Sequence, residues 1–155
     1  MRMEYSEVIE QLESMASSQK AAGMARCGIV DKQVYGISIP DLRFLAKGIG
    51  RNHRLAEHLW CNGSREARIL ASMIDDPELV SEDQMESWGG EFDYWEVCDQ
   101  VCANLFQKTP LVWQKASEWS QRQDASYKRA GFVLMARLAV AGQKAPDEHF
   151  VAFLI

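Results

Sequence analysis

The 155-residue chain predicts an all-α fold, a HEAT-like α-solenoid of antiparallel helix pairs wound into a curved superhelix. Three observations carry that reading. Apolar residues recur at three- and four-residue spacing along most of the chain. No stretch alternates polar and apolar with period two over a convincing length, so strands are not expected. Helix-sized segments are separated by short turn signals, and consecutive pairs recur at roughly 40 residues, the spacing of HEAT-type repeats. The length suits one domain, residues 1–155, able to bury a core of its own.

The elements follow in order. Val8, Ile9, Leu12, Met15 and Ala16 share one face of a helix over about 3–18, and a short helix over about 20–28 comes next. The connector Val34-Tyr35-Gly36-Ile37-Ser38-Ile39-Pro40-Asp41 opens the third helix. Pro40 suits its first position, where an N–H would be orphaned anyway, and Asp41 favours the positive end of the helix dipole. Leu42, Leu45, Ala46 and Ile49 form its apolar face, and it stops near Gly48–Gly50. A helix over about 53–61 ends at Asn62-Gly63, a left-handed cap signal. Ser64 caps a helix with Ala67, Ile69, Leu70 and Met73, which stops at Asp75-Asp76-Pro77. Ser81 and Gln84 form a capping box for a helix over 82–88, which Gly89-Gly90 should break. The next helix runs over about 94–106, with Asp93 as its cap and Glu96 closing the box. Thr109-Pro110 opens a helix carrying Leu111, Val112, Trp113, Ala116 and Trp119. The strongest helix spans about 125–140 and ends at Gly142. Pro146, Asp147 and Glu148 open a last one, which runs to Ile155 without a cap. That bare apolar end reads as the N-terminal part of a longer natural chain, because a solenoid needs a polar terminal face.

Composition narrows the class. Hydrophobic residues make up 47% and charged residues 25%, which excludes a disordered chain. No apolar run reaches the roughly 20 residues of a membrane span, and the acidic start is no signal peptide, so a cytoplasmic protein is expected. Cys27, Cys61, Cys98 and Cys102 then read as reduced core residues. Cys98 and Cys102 are one turn apart, but no histidine lies near them in sequence, so no metal site is expected. The net charge of −5 is uneven. Residues 20–68 carry a local balance of +5, residues 69–100 carry ten acids and no Lys or Arg, and residues 101–155 carry +3. A basic surface can therefore exist on an acidic chain. Arg26, Arg43, Lys47, Arg51 and Arg54 are its candidates for phosphate contact in the +5 segment, with Arg43 and Lys47 on one helix face.

Trp95 and Asp99 are also one turn apart, so they project from the same face. A flat ring beside a carboxylate suits recognition of a cation; a packed tryptophan beside a solvated acid has the same spacing. Trp60, Trp88, Trp113 and Trp119 are most simply helix-packing residues. His53, His58 and His149 show no partner spacing, and Arg68 suggests a structural ion pair with Glu66 or Asp99.

Several of these stretches resemble the AlkD-like DNA alkylation repair family, HEAT-like-repeat DNA glycosylases. Met24-Ala25-Arg26 and Tyr35-Gly36-Ile37-Ser38-Ile39-Pro40-Asp41-Leu42-Arg43 resemble its N-terminal signature. Leu59-Trp60 with Arg65-Glu66-Ala67-Arg68 resembles its next helix pair. Trp95-x-x-x-Asp99 looks like its catalytic pair, and Lys128-Arg129-Ala130-Gly131-Phe132 is similar to the segment with its active-site arginine. The resemblance spans nearly the whole chain in the right order. Cys27 stands where some members carry a DNA-contacting aromatic, and the family's later active-site tryptophan has no counterpart before Ile155. The resemblance implies excision of cationic N3- or N7-alkylated purines from duplex DNA, without metal or organic cofactor, with the lesion engaged from the backbone side. It implies catalytic roles for Trp95, Asp99 and Arg129, and DNA contacts at Arg26, Ser38, Arg43, Lys47 and Lys128. A HEAT-like module that binds DNA or protein without chemistry shares the fold, and fold cannot separate the two.

Overall fold

A computed structural model describes residues 3–26 and 34–140. Among them the chain is all helical, with nine α-helices, one 3-10 turn and no strand. No described helix is long and apolar enough to cross a membrane. The helices group into two compact units, one up to Asp76 and one from Pro77 onward.

The first unit holds α1 (Tyr5–Met15), α2 (Ser18–Arg26), α3 (Ile39–Ile49), α4 (His53–Asn62) and α5 (Arg65–Ile74). α4 and α5, linked by Gly63 and Ser64, fold back along each other; α3 packs on α5 and α1 on α4. The periodic apolar positions are the ones buried: Val8, Leu12, Leu42, Leu59, Ile69 and Leu70 have no exposed surface. Each such side chain stabilises the fold by roughly 1.5–3 kcal/mol. Short polar residues set the helix starts. Ser38 Oγ accepts from the Asp41 N–H (3.3 Å), Asn52 Oδ1 from Leu55 (3.1 Å) and Ser64 Oγ from Ala67 (3.1 Å). Pro40 sits second in α3, after Ile39. Gly63 closes α4 in the left-handed conformation.

The single helix expected over 3–18 is interrupted. Ala16 is extended, and the Ser17 N–H donates to the Tyr35 carbonyl at 2.8 Å while the Ser17 hydroxyl starts α2 by accepting from Lys20. A tertiary backbone bond thus overrides local periodicity. The expected extension of α2 to residue 28, the stop at Gly142, the helix from Pro146 and the free end at Ile155 lie outside the described residues.

The second unit holds α6 (Glu82–Gly90), α7 (Trp95–Asn104), a 3-10 turn (Phe106–Lys108), α8 (Val112–Ser120) and α9 (Ala125–Val140). α9 packs against α8, α7 and α6. Ser81 caps α6 through the Gln84 N–H at 3.0 Å. Gly89 and Gly90 do not break α6 as expected; they continue it. Tyr127 lies where their side chains would be, its ring 2.9 Å from a Cβ at Gly89 and its hydroxyl 2.7 Å from one at Gly90. Glycine here serves the close approach of α9. α8 likewise begins two residues after Pro110, because Thr109 closes the preceding turn through its hydroxyl on the Phe106 carbonyl (2.8 Å). The core centres on Phe106, with Trp88, Phe92 and Trp119 at ring distances of 6.4, 6.2 and 5.8 Å. Trp60, Trp88 and Trp119 pack in the interior as expected, whereas Trp113 is half-buried. Cys98 and Cys102 are buried, but Cys61, also expected in the core, is exposed.

Candidate active site

The apolar stripe of α7 decides where its polar residues point. Val97, Cys98, Val101 and Cys102 are buried, which leaves Trp95 and Asp99 on the outer side of the helix. The helix starts one residue later than expected. Tyr94 occupies the cap position, and Trp95 is its first residue. Asp93, expected at the cap position, therefore lies one residue before it. Trp95 is half exposed, with its ring 5.2 Å from that of Tyr94.

α9 supplies the third group. Ala130, Gly131, Leu134 and Leu138 are buried, so Arg129 and Lys128 face outward. Arg129 donates through Nε to Asp99 Oδ1 (2.9 Å) and through Nη2 to Oδ2 (2.8 Å), a two-pronged fork. The Asp99 carboxylate beside it raises the Arg129 pKa further above its ordinary value. The guanidinium carbon is also 5.8 Å from the centre of the Trp95 ring. Side-chain exposure is 48% for Arg129 and 29% for Asp99. A pair this wet contributes only about 0.2–1 kcal/mol to stability. Its main effect is orientation. Each Asp99 oxygen uses one lone pair on Arg129 and keeps another for a water or a ligand. Behind Asp99, burial pushes the Cys102 thiol pKa well up, which leaves it a packing group.

Gly131 fixes the approach that brings α9 into place. A Cβ there would stand against the Ser120 backbone nitrogen and 2.8 Å from Ser120 Cα. Only glycine fits at that crossing of α8 and α9.

The other residues expected to contact DNA lie in the first unit, apart from Lys128, which is exposed beside Arg129. Ser38 is the cap of α3, with its hydroxyl hydrogen still available to donate. Arg43 and Lys47 are exposed one turn apart on α3. Arg26 ends α2, and its side chain lies outside the description. Arg54 is exposed, and Arg51 makes only a long 3.8 Å contact with Asp76. Arg68 stacks over the Trp60 ring at 4.8 Å, while Glu66 and Asp99 are held by Arg65 and Arg129.

Sequence reasoning missed one positioning residue. Glu66 is fully buried and accepts from three successive backbone N–H groups, Tyr35 (2.9 Å), Gly36 (3.1 Å) and Ile37 (3.3 Å). It also pairs with Arg65 at 2.8 Å, and Arg65 donates to the Ile37 carbonyl at 2.9 Å. This clamp fixes the loop that leads into Ser38 and α3. A glutamate in the first turn of a helix is too ordinary to have signalled it.

The DNA alkylation repair enzyme family matches the chain over residues 8–152. A solved structure, described as "a new family of proteins related to the HEAT-like repeat DNA glycosylases with affinity for branched DNA structures", superposes with a TM-score of 0.78 at 19% identity. The match covers 97% of this chain and 73% of that one, and it establishes the HEAT-like-repeat helical fold. Comparison with curated proteins gives no match. With the family matched over nearly its whole length and the fold matched independently, the chain belongs to the DNA alkylation repair enzyme family.

Proposed function

We propose that this protein is a cytoplasmic DNA glycosylase that hydrolyses the N-glycosidic bond of cationic N3- or N7-alkylated purines in duplex DNA. The observation that carries the reading is the convergence of an exposed ring, a carboxylate and a guanidinium on one side of α7. An alkylated purine carries positive charge and leaves as a neutral base. The C1′–N bond breaks, its electron pair departs with the base, and the sugar gains oxocarbenium character. Asp99, held by Arg129, places negative charge where that positive charge develops and can orient the water whose oxygen bonds to C1′. The proton that water loses passes to Asp99 or to solvent. Trp95 offers its face to the cationic nucleotide, worth roughly 0.5–2 kcal/mol. Arg129 also presents donors that match a backbone phosphate. Arg43, Lys47 and Lys128, with Arg26 and Ser38, supply sequence-independent contacts along the DNA.

Release of free 7-methylguanine from alkylated duplex tests this directly. Asp99→Asn should lower the rate roughly 100- to 1,000-fold, the cost of removing one preorganised group, while DNA affinity holds or rises. Unchanged release by Asp99→Asn, or no release by the unaltered protein in excess over DNA, would overturn the assignment. The second reading, DNA binding without excision, is favoured by the structural neighbour, whose description gives affinity for branched DNA. Tight binding with no base release would select it.

A further inference from the structure

α3 carries an aromatic side chain that the Asp99 site does not use. Phe44 is 81% exposed, more than Trp95 or Phe132. The helix buries Leu42 and Ala46, which turns Phe44 outward. Arg43 and Lys47, one turn apart, lie along one side of it on the helix, both exposed. One turn on, Gly48 is exposed inside the helix, and a Cβ there would meet nothing within 4 Å. Glycine weakens a helix relative to alanine, and no neighbour requires one at this place. Its effect is to leave bare backbone beside the ring, so that a flat group can lie against Phe44.

We propose that this face of α3 stacks an unpaired DNA base on Phe44 while Arg43 and Lys47 hold the backbone phosphates that run beside it. Charge complementarity argues for this occupant. A nucleotide presents a flat apolar base beside the two anions of its backbone, and the face presents a flat ring beside two cations one turn apart. Aromatic stacking with flanking basic residues is the general means of holding single strands. A protein surface is a poor match, because one ring bounded by cations offers little of the apolar core within the roughly 800 Å² per partner of a standard interface. The proposal rests on the DNA-binding reading above and extends it to strands whose bases are unstacked.

Fluorescence anisotropy on the full chain tests it with three DNAs: a blunt duplex, the same duplex with a single-stranded arm, and the same with an arm of abasic residues. Phe44→Ala should weaken binding to the base-bearing arm roughly 5- to 100-fold. It should leave the blunt duplex, the abasic arm and the salt dependence unchanged, since no cation is lost. Phe44→Tyr should retain the affinity. Lys47→Gln should instead weaken all three DNAs and lower the salt slope by about 1. Equal affinity of Phe44→Ala and the unaltered protein for the armed DNA overturns the proposal, as does equal weakening on all three. Loss of self-association by Phe44→Ala in sedimentation, with DNA affinity unchanged, assigns the face to a second copy and also overturns it. If the unaltered protein binds no DNA, the reading beneath it fails as well; if it binds and only the Phe44 comparison is flat, this proposal alone falls.

Discussion

Arg129 meets Asp99 through two nitrogens of one planar group, and lysine cannot reproduce that. Arg129→Lys keeps the charge and loses the fork. Because the pair is half exposed, its loss should move stability by no more than about 1 kcal/mol, or about 2–4 °C in melting temperature. Base release should fall much further, roughly 100-fold, if the fork sets the carboxylate within the tolerance that chemistry demands. Melting curves and single-turnover release, measured side by side, separate the two effects; a fall in release no larger than the fall in stability would sink the orienting role. The spacing of Trp95 and Asp99 was legible because helical periodicity fixes which residues share a face. Arg129 lies 30 residues from Asp99, and only the order of motifs pointed to it. The helix boundary falls one residue later than expected, which puts Tyr94 and not Asp93 at the cap position, and local signals do not fix boundaries that finely. His53 does have a partner at helical spacing, Glu57 one turn on at 2.7 Å from its Nε2, whereas Asp75, 2.6 Å from its Nδ1, is 22 residues away and left no local signal.

The elements themselves were largely readable, since Ser38, Ser64, Ser81 and Gly63 mark helix ends in the chain and in the structure alike. The exceptions occur where one element presses on another. α1 stops because Ser17 bonds to Tyr35, and the last turn of α6 carries two glycines because Tyr127 lies against them. The loop before α3 is the clearest case of a tertiary device with no local signature. Glu66, buried in α5, gathers three backbone N–H groups that would otherwise lack acceptors and pairs with the buried Arg65. Glu66→Gln removes the carboxylate from beside a guanidinium that is 2% exposed. Breaking a buried pair from one side costs about 3–5 kcal/mol. Urea unfolding should show that loss in Glu66→Gln, and Arg65→Met in the same protein should restore part of it by removing the charge as well. A single substitution costing under about 1 kcal/mol, within the range of an exposed pair, would contradict the clamp.

At the scale of the molecule, the uneven charge seen along the chain is partly neutralised by folding. The acidic segment over 69–100 sends Glu82 and Glu86 to Lys115, at 2.8 and 2.7 Å, and Glu118 joins them at 3.0 Å. Arg122 adds a fork on Glu86 at 2.7 and 2.8 Å, and the Trp119 indole N–H donates to it at 3.2 Å. These bonds, the Arg122 fork foremost, lower the Glu86 pKa from 4.5 to about 2. The first unit holds the opposite case. His53 lies between Asp75 and Glu57 at 2.6 and 2.7 Å. Burial opposes its charge, but the Asp75 hydrogen bond and the surrounding carboxylates outweigh that and raise its pKa above 6.5. The two groups set two limbs of one stability profile. Glu86 holds its proton less tightly in the native state than in the unfolded chain. Its contribution is therefore complete above 4.5 and disappears as the pH falls toward about 2. His53 holds its proton more tightly in the native state, so its contribution is complete below 6.5 and disappears as the pH rises through the raised value. Melting temperature should accordingly peak between about 4.5 and about 6.5 and fall on both sides. Glu86→Gln should flatten the acid limb and leave the other, whereas His53→Gln should do the reverse. Melting temperatures followed across the acid and neutral range decide the matter: an acid limb equally steep with and without Glu86 would show that the Lys115–Arg122 cluster does not hold the second unit against acid.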